Sequence, residues 1–519
     1  MKTRLRDPDL ARLFENTFPS TLDTTVKYFD PDANLAFIVT GVSSARSPVS
    51  CMLVTQRLIA TRQLGYHVCA TFIRSWNWIR DTGNQFAHLY KLLPRDGNLK
   101  ALIKAVINTE ARYLAQYPYC GSFQPPPESG LPPTPNWGTR FRALLKHRET
   151  RSLTVCKYEL DSLAGFLKIS RSYYENTKDS SFINDNCQSS FASALAVAFT
   201  DKPTGKEAMK QTLRVLREQS QSSWIDGEFV SYYNWTGTLG SPSPPVPNRG
   251  NGEPTKANGL VASHHRPSDD LCVFSKLPSC PHQPLNKRVH LITIFIEFIT
   301  SDNAMVSVEL VHIAAVLEEV GMLDEVSQQA RQYAKTIRDA IWKHTLTSNG
   351  IFAYETNGFG GEYIMDDANV PSLISLPYLG FLSRSDSTYK KTKAALFSSA
   401  NPYYAAGKAF TGIGGPHVGP SYPWPMSQVS GIFGTDDDKE IKERLSNILR
   451  NSAELGLIHE SVSIHNSSDY TRPWFAWANS YFAEMILDLA ERKSWLIFGD
   501  SVPYVIGKEG TRVDDRIEI

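Results

Sequence analysis

The stretch VSQQARQYAKTIRDAI, residues 326–341, repeats its apolar side chains every three or four positions. This spacing is typical of an amphipathic α-helix with one face turned to a core. The same period recurs in residues 100–116 and 441–449, whereas alternating strand patterns are scarce, so the sequence predicts a mainly α-helical fold. The three stripes consist of Val326, Ala330, Tyr333, Ile337 and Ile341; Ile103, Val106, Ile107 and Leu114; and Ile441, Leu445, Ile448 and Leu449.

Long loops rich in glycine, proline and aromatic residues separate these helices. Loops longer than about 15 residues are uncommon in compact domains and often carry function. A helical toroid whose loops gather at one mouth accounts for this alternation. A decorated solenoid is the alternative, but the sequence shows no fixed-period repeat to support it. The loops are residues 117–137, 236–260, 357–381, 400–428 and 456–474.

The composition is globular and nearly neutral, with 54 basic and 53 acidic side chains among 519 residues. This balance gives no reason to expect a nucleic acid or an anionic membrane as a partner. The longest apolar stretch, residues 289–299, is shorter than the ~20 residues of a membrane span. Seven cysteines without a C-x-x-C pair argue against a zinc module, and their odd number leaves at least one thiol free. We therefore predict a soluble chain without a membrane segment and derive no disulfide framework.

Four loop motifs combine carboxylates with arginine or aromatic residues. Glycoside hydrolysis needs one carboxylic acid to protonate the leaving oxygen and a second carboxylate opposite it. In an inverting enzyme the two groups are about 6.5–9.5 Å apart, with room for a water molecule. Asp and Arg bind sugar hydroxyls, and aromatic faces cover the ring. The motifs are WIRD (78–81), RPSDD (266–270), MDDAN (365–369), and HE (459–460) with TRPWFAW (471–477).

Each motif also has a plain structural interpretation. An Asp-Asp pair commonly caps a helix, the Arg80–Asp81 pair suits an ordinary ion pair, and the tryptophans of the last motif suit core packing. His264 and His265 lie beside an Asp-Asp pair, but no further His or Cys stands at ligand spacing, so no metal is expected. The residue patterns alone predict a helical enzyme that acts on a polar substrate.

Seven longer stretches resemble one known family, glycoside hydrolase family 125, whose members are exo-α-1,6-mannosidases. They occur in the family's order and extend over nearly the whole chain, which predicts a single catalytic domain over residues 1–519. The stretches are LARLFENTFPSTLDTTVKYFDPDANLAFIVTG (10–41), WIRDTGNQF (78–86), KYELDS (157–162), HRPSDD (265–270), YETNGFGGEYIMDDANVPSLISLPYLGF (354–381), GIGGPHVGPSYPWPMS (412–427), and GLIHES with YTRPWFAWANSYFAEMI (456–486).

The resemblance implies an (α/α)6 barrel and an inverting hydrolase that needs no cofactor. It implies that Glu460 is the general base and that Asp269 or Asp270 is the general acid, a choice the sequence leaves open. The expected substrate is an α-mannoside glycan, from mannans or N-glycans, cleaved at its non-reducing terminal α-1,6-linked mannose. The residues implied to grip that mannose are Arg80, Asp81, Asp366, Asp367, His417 and Arg472.

Two segments interrupt the family motifs, residues 42–77 and 280–302. Both contain apolar residues without a pattern, which a surface loop would expose as an aggregation hazard. We interpret them as translated introns, and genuine lineage-specific insertions are the alternative. Since the family match is already under way by residue 10, a missing exon with a signal peptide is also conceivable, and the location of the protein stays open.

Two other functions fit the same residue patterns. A chain whose site is disrupted by the two segments would bind carbohydrate without hydrolysing it. A different exo-glycosidase or a phosphorylase would use the same helical toroid, and a phosphorylase would require inorganic phosphate.

Overall fold

The computed structural model describes residues 1–40, 76–133, 153–184, 204–235, 247–267, 296–416, 418–452 and 454–506. Within these ranges no helix is long and apolar enough to cross a membrane. The candidate residues Asp269, Asp270 and His417 lie outside them, as does most of the two interrupting segments.

Helices dominate the described chain, as predicted. In chain order they are α1 (Pro8–Thr17), α2 (Ser20–Thr24), α3 (Ile79–Gln85), α4 (Gly97–Gln116), α5 (Leu160–Thr177), α6 (Gly205–Gln219), α7 (Thr300–Val320), α8 (Asp324–His344), α9 (Ser387–Leu396), α10 (Pro425–Phe433), α11 (Asp438–Leu449), α12 (Ala476–Arg492) and α13 (Ser494–Ile497). Short 3₁₀ helices cover Lys2–Arg4, Ala87–Leu92, Pro127–Ser129 and Ser181–Ile183, and Pro247–Gly250 forms one irregular turn.

The strands are short and pair antiparallel in small sheets between the helices. The sheet orders are β1-β2, β3-β4-β5, β6-β7, β8-β9-β10 and β11-β12. The strands are β1 (Val26–Asp30), β2 (Leu35–Ile38), β3 (Asn77–Trp78), β4 (Ser122–Phe123), β5 (Leu153–Val155), β6 (Trp224–Ile225), β7 (Glu228–Phe229), β8 (Phe298–Ile299), β9 (Glu355–Thr356), β10 (Glu362–Tyr363), β11 (Tyr404–Ala406) and β12 (Thr411–Ile413).

The helices form a toroid with an inner and an outer ring. Helix α5 packs between α3 and α7, and α12 packs against both α10 and α3, which closes the inner ring. The irregular segment 371–381 fills the place between α7 and α10, where the Tyr378 ring lies 4.8 Å from that of Phe433. The outer helices are α1, α4, α6, α8, α9 and α11. The (α/α)6 prediction is therefore confirmed.

Burial explains why the stripe pattern identified the outer helices more readily. In α8 the residues Val326, Ala330, Ile337 and Ile341 are buried while the opposite face is exposed. In the inner helix α7 every residue from Thr300 to Leu310 is buried, because the helix packs on the ring on one side and on α8 on the other. A helix buried all round shows no amphipathic stripe.

Five of the six outer helices begin differently from the inner ones, and α8, which has no side-chain cap in the described structure, is the exception. In α1, α4, α6, α9 and α11 an Asp or Thr side chain caps the first turn by accepting a backbone N–H. Within the described chain, the inner helices α3, α5, α7, α10 and α12 begin without a side-chain cap. Since outer helices return the chain, the inner helices run in one direction. Their N-termini, with the positive ends of their dipoles, meet at one end of the ring.

Replacing Gly83 with Ala should destabilise the toroid, because α3 and α5 approach most closely at Gly83 and Gly165. A Cβ on Gly83 would lie 2.6 Å from the Gly165 carbonyl oxygen, which cannot yield without moving the backbone. We expect a loss of about 1–3 kcal/mol in the free energy of unfolding, measured by denaturant titration. Gly97→Ala is the control, since a Cβ there meets nothing within 4 Å. Equal stability of the two variants would contradict this packing.

Candidate active site

Arg80 is the centre of the candidate site and is completely buried. It lies in the first turn of α3, where its Nε is 3.3 Å from Asp81 Oδ1. Its Nη1 lies 3.1 Å from Glu159 Oε2 and 3.4 Å from Asp161 Oδ2, at the start of α5. One guanidinium therefore holds three carboxylates from two neighbouring inner helices.

More acids surround this group than cations. Asp302, in the first turn of α7, is fully buried, and burial together with the charge of Asp161 raises its pKa well above the ordinary value. The charge of Asp367 acts in the same direction. Asp81, Asp161 and Asp302 each occupy the first turn of an inner helix, where the helix dipole favours a negative charge. The inner N-termini thus gather polar groups that suit sugar hydroxyls.

Glu460 and Arg472 lie side by side in the loop that leads into α12. Arg472 Nε is 3.2 Å from Glu460 Oε1, and Thr471 Oγ donates to Glu460 Oε2 at 2.9 Å. Glu460 is 3% exposed, so a cation and a hydroxyl hold its carboxylate in a nearly dry place.

His459 supports the same loop. Its Nδ1–H donates to the Pro473 carbonyl at 2.7 Å, and its ring stacks on Tyr470 with centroids 3.9 Å apart. Burial lowers the pKa of His459 to about 4, so the ring stays neutral near pH 7. His459 therefore holds the loop in place, and its neutral ring adds no positive charge beside Glu460.

Aromatic side chains connect the Arg80 cluster with the Glu460 loop. The Arg80 guanidinium lies 5.9 Å from the Trp477 ring, and the rings of Trp477 and Phe475 are 6.2 Å apart. Arg472 lies 5.3 Å from the same Phe475 ring. Four of the predicted residues thus form two direct pairs, Arg80–Asp81 and Glu460–Arg472, at the same end of the inner ring.

The RPSDD motif is anchored where the structure describes it. The Arg266 guanidinium pairs with Glu355 of β9, with Nη2 at 2.9 Å from Oε2, and lies 5.7 Å from the Tyr363 ring. Burial raises the pKa of Tyr354, beside Glu355, and the charges of Asp367 and Asp302 add to this effect. The acid motif therefore starts close to the carboxylate cluster. Asp269 and Asp270 themselves stay predictions.

The MDDAN motif divides into two roles. Asp366 accepts backbone N–H groups from Leu373 at 2.8 Å and Ile374 at 3.0 Å, which fixes the irregular segment of the inner ring. Asp367 accepts from Asn369 N at 3.0 Å and acts electrostatically on Asp302. Binding of mannose by either residue stays a prediction, as it does for His417.

Several buried polar residues of the candidate site were not predicted from the sequence. Glu159 and Asp161 belong to the KYELDS stretch. The alternation of Glu159 with Lys157, just before α5, is the signal that would have indicated a common face for these two residues. Asp302 lies within the second interrupting segment, of which residues 298–302 form β8 and the first turn of α7. Nothing in the residue spacing singles it out.

A disulfide also went unforeseen. Cys120 and Cys156 are bonded and buried, and they flank the β4–β5 pair that continues from β3. The other five cysteines lie outside the described residues. An odd cysteine count says nothing about which two will meet.

The chain belongs to the family of metal-independent α-mannosidases, glycoside hydrolase family 125, whose model matches residues 7–46, 72–280 and 292–487. It is therefore a glycoside hydrolase of a mannosidase family. The family name agrees with a site built from carboxylates, arginines and aromatic rings.

Two relatives illustrate the similarity. The Meiotically up-regulated gene 157 protein of Schizosaccharomyces pombe is 37% identical over 506 residues, which cover 96% of this chain and 85% of that protein. A solved α-mannosidase from Streptococcus pneumoniae, in a non-productive complex with α-1,6-mannobiose, superposes with a TM-score of 0.69. It is 23% identical, with coverage of 93% of this chain and 94% of that one, and supports the fold.

Asp366→Asn should flatten part of the pH dependence of stability. Burial raises the pKa of Asp366 from 3.8 to about 8, so the folded chain keeps a proton that the unfolded chain releases. The contribution to stability is complete below pH 3.8 and is lost as the pH rises through about 8. The slope is about 1.4 kcal/mol per pH unit for one proton. Unfolding titrations between pH 4 and 8 measure it, with the exposed Asp339→Asn as control. An unchanged slope in Asp366→Asn would contradict the assignment.

Proposed function

We propose that this protein is an exo-acting, inverting α-mannosidase that removes non-reducing terminal α-1,6-linked mannose from mannans or N-glycans. The observation that carries the proposal is the Glu460 carboxylate, held by Arg472 at 3.2 Å and by Thr471 at 2.9 Å at the mouth of the inner ring. Family membership supports a mannoside as substrate. The α-1,6-mannobiose bound by the Streptococcus pneumoniae protein supports the linkage.

In this mechanism Glu460 removes a proton from a water molecule, which attacks the anomeric carbon from the face opposite the leaving group. Asp269 or Asp270 gives a proton to the glycosidic oxygen as the bond breaks. One displacement without a covalent intermediate inverts the anomeric configuration. A raised pKa keeps the acid protonated, and a carboxylate-rich surrounding of the kind seen around Asp302 has that effect.

The centre of the ring supports an exo mode of action. Arg80 and Trp477 lie in the first turns of α3 and α12 and are completely buried, and we propose that they close the inner end of the sugar pocket. A sugar that enters from the loop side therefore meets a closed end, which suits removal of one terminal residue. Arg80, Asp81 and Asp367 are proposed to hold the hydroxyl groups of that mannose.

Incubation with α-1,6-mannobiose, followed by proton NMR, tests activity and stereochemistry together. We expect mannose to appear first as the β-anomer and to mutarotate afterwards, because a single displacement inverts the centre. Initial α-mannose would refute the inverting mechanism. Turnover only with added inorganic phosphate would identify a phosphorylase instead.

Glu460→Gln is the decisive variant in that assay. Removal of the base should lower kcat by about 10²–10⁴-fold, while the preserved shape keeps mannobiose binding nearly intact. Glu443→Gln, on the exposed face of α11, is the matched control. Normal turnover by Glu460→Gln would remove this residue from the mechanism, and mannobiose binding without turnover in the unmodified chain would indicate a carbohydrate-binding protein.

We further propose that the chain contains translated intron sequence within its two interrupting segments. The family model leaves 47–71 and 281–291 unmatched, and these lie inside the segments 42–77 and 280–302. The edges of the segments are built into the fold. Asn77 pairs with Phe123, and Phe298 pairs with Thr356. We therefore propose that the intron-derived sequence is limited to residues 47–71 and 281–291 and is shorter than the segments 42–77 and 280–302.

Sequencing of the spliced transcript should show a message without residues 47–71 and 281–291. A chain lacking both stretches should remain folded and release mannose, since neither stretch belongs to the matched family sequence. Circular dichroism and the mannobiose assay compare it with the 519-residue chain. A message that encodes both stretches, with soluble active protein, would contradict the proposal.

A further inference from the structure

The extended segment 156–159 lines the candidate site, and hydrogen bonds and a disulfide hold its backbone in place. The Lys157 carbonyl accepts Gly121 N–H at 3.1 Å. The Tyr233 hydroxyl accepts Tyr158 N–H at 3.1 Å and donates to the Cys156 carbonyl at 2.7 Å. The disulfide attaches Cys156 to Cys120. The backbone at Lys157 therefore has little freedom to move.

The side chain of Lys157 is completely buried, yet its Nζ has no hydrogen-bond partner among the described residues. Burying a charged group without a partner is costly, so native proteins place an acceptor opposite it. Arg80, its cationic neighbour in the site, pairs with three carboxylates. The N–H groups of the Lys157 amino group therefore have no acceptor among the described residues.

The position of Lys157 places those donors in the site. Residues two apart on an extended segment point to the same side, so Lys157 shares a face with Glu159, whose carboxylate binds Arg80. Lys157 also lies near His265, which precedes the acid motif. Burial lowers the pKa of His265, and the positive charge of Lys157 lowers it further. Lys157 therefore lies close both to the Arg80 cluster and to His265.

We propose that Lys157 is a substrate-binding residue whose amino group donates to hydroxyl oxygens of the mannose in the pocket, and that the Cys120–Cys156 disulfide positions it. The proposal rests on the proposed function, because it names a contact within the same site. Three donors on a compact cation match the acceptor oxygens of neighbouring hydroxyls.

Lys157→Met tests the contact, because methionine fills the same buried space without a donor. We expect kcat/KM for α-1,6-mannobiose to fall about 10- to 100-fold, as for loss of a hydrogen bond to a charged group. Lys157→Arg should recover part of the loss. Lys439→Met, at an exposed position of α11, is the control. Calorimetric titration of mannobiose into the Glu460→Gln background should show weaker binding by a similar factor when Lys157→Met is added.

The outcomes separate this inference from the proposed function. Failure of the unmodified chain both to hydrolyse and to bind mannobiose refutes the proposed function. Unchanged binding and kcat/KM in Lys157→Met, with the unmodified chain active, refutes the inference alone. A shifted pH optimum without weaker binding would also refute it, since Lys157 would then act on the charge of the catalytic acid.

The disulfide is tested by the double variant Cys120→Ala/Cys156→Ala, assayed at a temperature where circular dichroism shows it folded. We expect a higher KM than in the unmodified chain, and in the triple variant a KM no higher than in Lys157→Met alone, because both changes act through one contact. Additive effects of the two changes would contradict the positioning role. Ile448→Ala, which removes buried side-chain volume in α11, is the control for general destabilisation.

Discussion

The buried guanidinium of Arg80 is the interaction on which the rest of the site depends. It joins the start of α3 to the start of α5 through Asp81, Glu159 and Asp161, and it lies against Trp477 of α12. Loss of one partner of a buried ion pair typically costs 3–5 kcal/mol, because the other charges are left without compensation. One guanidinium thus ties the starts of two inner helices together next to a third.

The electrostatic arrangement suits a neutral ligand. The inner N-termini supply partial positive charge from helix dipoles, and Asp81, Asp161 and Asp302 supply carboxyl groups in the same first turns. Since burial keeps the pKa of Asp302 high, the cluster does not carry its full formal negative charge. A sugar, which offers both donors and acceptors and no net charge, fits such a surrounding better than an anion does.

The sequence predicted the fold well where the physics is local, and the site only in part. The outer helix α8 showed its stripe because one face meets water, whereas α7 is buried all round and showed none. The structure pairs Arg80 with Asp81 and Glu460 with Arg472, and their membership of one site stays a prediction. The spacing of residues could not show that Asp366 accepts hydrogen bonds from two backbone amides. Lys157, Glu159 and Asp161 belong to one short stretch. The sequence could not predict their role, because it depends on how close they lie to Arg80 in the fold. The roles of Asp269, Asp270 and His417 rest on sequence alone.

The Cys120–Cys156 bond also bears on where such a chain can be made. Disulfides persist in oxidising surroundings such as the endoplasmic reticulum lumen, the periplasm or the cell exterior, and glutathione and thioredoxin keep cytosolic thiols reduced. A chain that carries this bond matures in an oxidising milieu. Expression in an ordinary bacterial cytosol would leave Cys120 and Cys156 as free thiols beside segment 156–159. An oxidising host is therefore the appropriate source of native protein.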